Sequence, residues 1–265
     1  MISMSNLIPF LRDVVSKVMP FSSIIDFIHL KELDNGCLLA MASASDGTVH
    51  LKSVSKDPID IGGSVACLGN LNYLRQVLNS DFLKNNKATV DISTRERNDK
   101  KIVTSLRFVP NNRMETNYTT TDPFRASIVK PTRIDVSEWP VTFIIDDSSY
   151  REIAEFKKIH AAAPSAGSED VLRVGYADGE IVIDFGEGGG VQTSTLRVDA
   201  EVMATDAKPI GVHLLSDQFL RGLMQSQDSD KMIEATLSEK ALQLVMENPL
   251  TRHELILVRR KLRND

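Results

Sequence analysis

The sequence has little that would place the chain in a membrane, a disulfide framework or a secretory pathway. No apolar run approaches the roughly 18 residues that a membrane-spanning helix needs. The start of the chain lacks the basic residues and apolar stretch of a signal peptide, so we expect no secretion signal. The only two cysteines, Cys37 and Cys67, lie 30 residues apart among apolar residues. We expect buried free thiols in a reducing compartment.

Catalytic motifs are also scarce. The five histidines show no metal-ligand spacing, and no serine or cysteine lies in a nucleophile motif. Glycines at 186–190 lack the Lys-Ser/Thr of a phosphate-binding loop and are expected to form a hairpin turn. Asp146 and Asp147 lie where a helix is predicted to begin, so helix capping explains them. The sequence therefore predicts no enzyme activity, cofactor or metal site.

Length and composition allow one large domain or two ordinary ones. The chain has 265 residues, of which 42% are hydrophobic and 25% charged, enough for a sizeable core. Its formal net charge is −5. Binding to nucleic acid would therefore require positive charge to be segregated on one face, because the chain as a whole is acidic.

A six-residue pattern occurs three times, at residues 10–15, 73–78 and 219–224. Each copy reads aromatic, Leu, Arg, any residue, aliphatic, and then aliphatic or Met. At 3.6 residues per turn the apolar positions form one broad stripe, and Arg12, Arg75 and Arg221 fall on or near the opposite face. A helix with an apolar back and a basic front, used repeatedly, indicates that one structural unit is duplicated.

The order of predicted elements supports a duplication. Helices are predicted at 3–19, 70–80, 148–161 and 216–226. Strands are predicted near 24–33, 36–43, 48–54, 59–68, 88–95, 101–109, 141–145, 171–176, 180–186, 191–199, 210–215, 231–238, 240–247 and 252–259. Each half reads as helix, short strands, helix and hairpin, which predicts an α+β fold of two similar domains.

Residues 110–140 differ in composition from both halves. They contain Pro110, Pro123, Pro131 and Pro140 among Asn, Thr and Asp, which is typical of a linker. We place the domains at 1–125 and 141–265, with an interdomain linker at 126–140. Strands at 102–109 and 191–199 have the Thr/Val/Leu texture of sheet edges that pair between chains.

This arrangement resembles the DNA sliding clamps, most closely those of T4-type bacteriophages. The resemblance lies in element order over nearly the whole chain, in a start directly on a helix, in Asp-Gly hairpins, and in apolar strands such as 65–68 and 212–215 that lead into a helix with an exposed Arg. It implies two clamp-type domains, each with two helices packed on antiparallel sheets. Two domains per chain imply a head-to-tail homotrimeric ring. The long Pro-rich linker and the basic end at 259–263 depart from the family pattern.

The resemblance also implies partners. These are duplex DNA bound without sequence preference, a DNA polymerase made processive by the ring, and an ATP-dependent clamp loader. The expected location is the cytoplasm, which is that of the host cell if the chain is viral. DNA contacts would come from the basic helix residues Arg12, Lys17, Arg75, Arg151, Lys157, Lys158 and Arg221. The alternative for these residues is a solvated helix face, since neighbouring acidic residues dilute the charge.

A partner pocket is implied where the linker meets the last strand. Its residues would be Ile128, Val129, Leu255, Ile256 and Val258, and the alternative is ordinary core packing. Two other functions stay open from the residues alone. One is a viral structural or adaptor protein, built from a duplicated α+β unit, that forms no ring. The other is a hydrolase of unrecognised family with its site among Asp146, Asp147 and His160.

Overall fold

The computed structural model describes residues 6–84, 88–111, 114–124, 138–161, 170–186, 193–204, 208–226 and 232–260. The chain divides into two compact units. Unit 1 comprises Met1–Thr132 and Glu247–His253, and unit 2 comprises Arg133–Met246 and Glu254–Asp265. No helix in the described residues is long and apolar enough to cross a membrane.

Unit 1 combines two main helices with antiparallel strands. Its elements are α1 (Leu7–Val18), a 3-10 turn (Met19–Phe21), β1 (Ile28–Glu32), β2 (Cys37–Ser43), β3 (Val49–Pro58), β4 (Val65–Leu68), α2 (Leu71–Leu78), the one-turn α3 (Asp81–Lys84), β5 (Thr89–Arg97), β6 (Lys100–Asn111) and β7 (Met114–Thr119). The strand order is β3-β2-β1-β4-β6-β5, and β7 also pairs with β6.

The turns of unit 1 follow from residues that tolerate positive φ. Gly36 (φ 79°) closes the β1–β2 hairpin, and Gly47 (φ 73°) closes the β2–β3 hairpin. The resulting pairs are antiparallel, whereas β4 runs parallel to β6 where Val65 lies opposite Ile102. This parallel step departs from the expected antiparallel sheets.

Unit 2 repeats the same components. Its elements are β8 (Val141–Asp146), α4 (Asp147–Ala161), β9 (Val171–Ala177), β10 (Glu180–Phe185), β11 (Ser194–Val198), β12 (Glu201–Ala204), β13 (Ile210–Leu215), α5 (Ser216–Ser226), β14 (Met232–Leu237) and β15 (Ala241–Glu247). The last strand is β16 (Thr251–Val258), of which residues 251–253 belong to unit 1 and residues 254–258 to unit 2. One strand group is ordered β11-β10-β9-β13, and another β12-β8-β14-β15-β16. The α+β fold with two helices per unit is confirmed.

Two stretches correct the sequence predictions. Within 110–140, where the composition predicts a linker, the structure contains the strand β7. Its backbone pairs with β6 from Ser105 opposite Thr119 to Asn111 opposite Met114. The strand predicted at 59–68 begins only at Val65. Two glycines with positive φ, Gly62 and Gly63, break the extended backbone just before it.

The predicted edge strand at 102–109 is also wrong. It lies within β6, which pairs with β5 along one side and with β4 and β7 along the other. Leu106 is therefore only 3% exposed. The other predicted edge, at 191–199, corresponds to β11, which ends the order β11-β10-β9-β13 and is an edge in the described residues.

Candidate nucleic-acid interface

Helix α2 presents one exposed cation. Leu71, Leu74, Val77 and Leu78 are buried, so Arg75 lies on the opposite, exposed face, as the apolar spacing predicts. In the part of the chain that the structure describes, the Arg75 side chain has no ion pair or hydrogen bond. Its full charge is therefore available to an anion.

Helix α4 carries charges of both signs on its exposed face. Arg151 pairs with Asp147 at 2.6 Å, and Lys158 pairs with Glu155 at 3.2 Å. All four side chains are more than half exposed. Positions 147, 151, 155 and 158 are four, four and three residues apart, so the charges alternate along one stripe.

The carboxylate before α4 has the capping role that the sequence predicts. Asp146 accepts a hydrogen bond from the Ser149 backbone N–H at 2.8 Å, and the Ser148 hydroxyl also donates to it. The Ser149 amide lowers the pKa of Asp146 below its usual value. Of the two carboxylates in the hydrolase alternative, Asp146 therefore caps α4 and Asp147 forms an ion pair with Arg151. The side chain of His160 lies outside the described structure.

Helix α5 has one pair of an acidic and a basic residue on its exposed face. Its Arg221 side chain is 45% exposed and lies 3.9 Å from Asp217, one turn earlier. The helix packs closely on β16, since a Cβ added at Gly222 would lie 2.9 Å from the Cδ2 of Leu255. Arg221 therefore faces away from a tightly packed apolar back.

Lys157 does not lie on an exposed face, which corrects the expectation for this residue. It is 9% exposed and forms an ion pair with Asp170, the residue before β9. Asp170 also accepts a hydrogen bond from the Ser216 hydroxyl at 2.9 Å, at the start of α5. Burial lowers the pKa of Lys157. The ion pair of Lys157 with Asp170 therefore links α4 to the start of α5.

The basic residues of α1 are also engaged inside unit 1. Arg12 donates from Nε to the Leu78 carbonyl at 3.0 Å and from a terminal nitrogen to the Leu83 carbonyl at 3.3 Å. These are carbonyls at the end of α2 and in α3, where helix carbonyls need partners. Lys17 is only 5% exposed. Of all α1 residues only Ser16 is exposed, so α1 is a core helix.

The predicted partner residues divide into three groups. Ile128 and Val129 lie outside the described residues. Leu255 is 1% exposed and belongs to the core of unit 2, which favours the alternative of core packing for this residue. Ile256 and Val258 are half-buried on the opposite face of β16, because side chains alternate along a strand.

A buried polar cluster in unit 1 was not predicted. His253, 1% exposed, contacts the Ser53 hydroxyl with Nδ1 at 2.8 Å and the Asp13 carboxylate with Nε2 at 2.9 Å. Asn248 also donates to Asp13, at 2.8 Å. Burial opposes the Asp13 charge, but the bonds from His253 and Asn248 outweigh it and lower the pKa of Asp13. The residues lie up to 240 positions apart, so no local pattern indicates the cluster.

The cluster resembles a Ser-His-Asp arrangement but has no access to a substrate. The Ser53 side chain is fully buried and its histidine nearly so. Both cysteines are buried and free, as predicted, and burial raises the pKa of Cys67 to about 12. Among the described residues, no group of three His, Cys, Asp or Glu side chains is placed to hold a metal ion.

Comparison with known proteins gives a match at the level of structure. No family model matches the sequence, and no curated protein sequence matches it either. A proliferating cell nuclear antigen from Entamoeba histolytica superimposes with a TM-score of 0.64 at 11% identity, covering 96% of each chain. A PCNA2–PCNA3 complex from Sulfolobus tokodaii gives a TM-score of 0.63 at 12% identity, covering 95% of this chain and 97% of that one. The chain therefore has a sliding-clamp fold over nearly its whole length.

Proposed function

We propose that this protein is a sliding clamp that encircles duplex DNA and tethers a replicative DNA polymerase. The observation that carries the proposal is the clamp fold itself, matched over 96% of the chain. Two clamp units per chain support a homotrimer of the kind found in T4-type bacteriophages. An ATP-dependent loader is required because the sequence holds no nucleotide-binding motif.

We place the DNA surface on the exposed basic residues Arg75, Arg151, Lys158 and Arg221. Phosphate contacts of this kind fix position without reading sequence, which suits a protein that must slide. The burial of Lys17 and Lys157 and the hydrogen bonds of Arg12 remove these three residues from the proposal. The proposed domains remain 1–125 and 141–265, joined by 126–140.

The ring contact can be inferred from the internal repeat. β3 is the outer strand of β3-β2-β1-β4, as β11 is of β11-β10-β9-β13. In unit 1 the outer side of β3 is covered by residues 250–253, where the Lys56 N–H donates to the Leu250 carbonyl at 2.9 Å. β11 has no such cover in the described residues.

The covering segment belongs to β16, the last strand of the order β14-β15-β16. Its counterpart in unit 1 is β7, which follows β5 and β6 in the same way. We therefore propose that β7 of one protomer pairs with β11 of the next. This pairing is head-to-tail, so it closes a ring when the rotation between protomers allows closure.

Native mass tests the ring. We expect a species at three times the chain mass of 29.4 kDa, and Leu196→Pro in β11 should convert it to monomer, because proline removes a strand hydrogen bond. The matched control is Glu96→Pro in the edge strand β5, which should remain a trimer. A Leu196→Pro protein that stayed trimeric would remove β11 from the interface, and a wild-type monomer at all concentrations would favour the adaptor alternative.

We also propose that Ile256 and Val258 contribute to a site for an apolar segment of the polymerase. Ile256→Ser should weaken polymerase binding several-fold while leaving the native mass unchanged, because the side chain is half-buried. Direct titration of polymerase into the clamp measures this. Equal affinity for the variant and the wild type would exclude Ile256 from the partner site.

A further inference from the structure

Among the residues whose side chains the structure describes, three of the four exposed helix cations have a carboxylate partner on their own helix, one turn toward the N-terminus. The pairs are Asp147–Arg151, Glu155–Lys158 and Asp217–Arg221, with N–O distances of 2.6, 3.2 and 3.9 Å. An acidic residue placed before a basic one at this spacing is the favourable orientation for an ion pair on a helix.

Helix α2 differs from the other two. Its sequence between Leu71 and Leu78 contains no acidic residue, and Arg75 has no side-chain partner among the described residues. The exposed charges of α5 therefore cancel and those of α4, which include Glu152, are net negative, whereas the exposed face of α2 carries a net positive charge. Arg75 can therefore attract a phosphate directly, whereas Arg151, Lys158 and Arg221 must first separate from a carboxylate.

We propose that Asp147, Glu155 and Asp217 weaken the attraction of these helices for DNA, so that the clamp is retained by its closed ring and not by charge. The inference rests on the proposed encirclement of DNA. A cation held by a carboxylate neutralises little additional phosphate charge and releases few counterions. The salt dependence of DNA binding is then dominated by Arg75 and lies well below the value expected for four free cations.

The test is a set of charge-neutralising variants. In the triple variant Asp147→Asn, Glu155→Gln, Asp217→Asn, the slope of log affinity against log salt should steepen by as much as about three, or about 0.9 for each released cation. Affinity at low salt should rise at least about tenfold, and diffusion along DNA should slow. Binding is measured with closed circular and linear duplex DNA over a range of salt concentrations.

Glu152 and Glu155 provide a matched control pair. Both are exposed on α4, but Glu155 pairs with Lys158, whereas Glu152 has no side-chain partner among the described residues. Glu155→Gln should therefore steepen the salt slope more than Glu152→Gln. The melting temperature of each variant is measured as well. Asp147 and Asp217 lie in the first turns of their helices, where a negative charge stabilises the helix, and Glu155 does not.

The outcomes separate the two proposals. If wild-type protein binds DNA with a salt slope that Arg75→Ala reduces, but the triple variant and Glu155→Gln leave it unchanged, the attenuating role of the carboxylates is wrong and the clamp function stands. If wild-type protein is not retained on circular DNA and shows no salt-dependent binding, the clamp function fails and the attenuating role fails with it.

Discussion

Replacing His253 with Ala is expected to lower the free energy of unfolding of unit 1 by about 3 kcal/mol. The substitution leaves the Asp13 carboxylate, whose side chain is only 16% exposed, without the ring nitrogen 2.9 Å away. It also removes the partner of the buried Ser53 hydroxyl and opens a cavity between α1 and β3. An unpaired buried charge costs far more than the pair contributes, which makes this the largest stability effect that we expect.

Hydrogen exchange of the α1 and β3 amides measures this loss, because exchange reports the opening free energy of a particular region. Ser53→Ala is the control, as it keeps the contact between His253 and Asp13 and should cost only about 1 kcal/mol. Asp13→Ala combined with His253→Ala should cost less than the sum of the single substitutions. Protection of α1 within about 0.5 kcal/mol of wild type in His253→Ala would show that the cluster contributes no stability.

The same cluster predicts acid sensitivity. The folded protein lowers the pKa of Asp13 below its ordinary value of 3.8. A carboxylate whose pKa is lowered by folding stabilises the protein fully when the pH is above the pKa of that group in the unfolded state. This contribution is lost as the pH falls through the pKa of the group in the folded state. Unit 1 should therefore lose protection below about pH 4, and Asp13→Asn should flatten this dependence.

Neutralising Arg75, Arg151, Lys158 and Arg221 together is expected to remove most of the electrostatic affinity for DNA. Each cation that contacts a phosphate contributes about 0.9 to the slope of log affinity against log salt. Since three of the four are paired, Arg75→Ala alone should account for most of the wild-type slope. The loss should be equal for every DNA sequence, because phosphates carry no base information.

Polymerase processivity on primed circles at several salt concentrations measures the functional effect of the quadruple Ala variant. Native mass and melting temperature should change little, because substitutions of exposed residues usually cost within about 0.5 kcal/mol. Lys52→Ala, on an exposed position of β3, is the control for loss of a positive charge elsewhere. Undiminished processivity at every salt concentration would leave the four residues as an ordinary solvated surface.

Local signals in the sequence predict most of the elements. Hairpin turns such as Asn35-Gly36 and Asp178-Gly179 combine residues that tolerate positive φ, and the structure has φ of 79° at Gly36 and 87° at Gly179. β7 was missed because its polar, Pro-flanked sequence resembles a loop. It forms a strand because its backbone pairs with that of β6 and because the Tyr118 side chain is buried. Tertiary context thus overrides local propensity.

Side-chain environment is predicted less well than the elements. Helical spacing identifies which residues share a face, but it does not reveal what covers that face. Lys17 and Lys157 lie in amphipathic helices and are nevertheless buried, and Arg12 is used to satisfy carbonyls of a neighbouring helix. Contacts such as Asp13 with His253 join residues 240 positions apart, so periodicity contains no information about them.

The fourth position of the repeated helix pattern, which the sequence leaves unrestricted, has a different use in each copy. In α1 it is Asp13, held by His253; in α2 it is the exposed Gln76; in α5 it is Gly222, against which Leu244 and Leu255 pack. A chimera that grafts the α1 segment into unit 2 would bring a carboxylate against two leucines. A graft of the α5 segment into unit 1 would leave His253 without its acid. The two units share an architecture but are not interchangeable modules, and recombination within the chain would be restricted at this one residue.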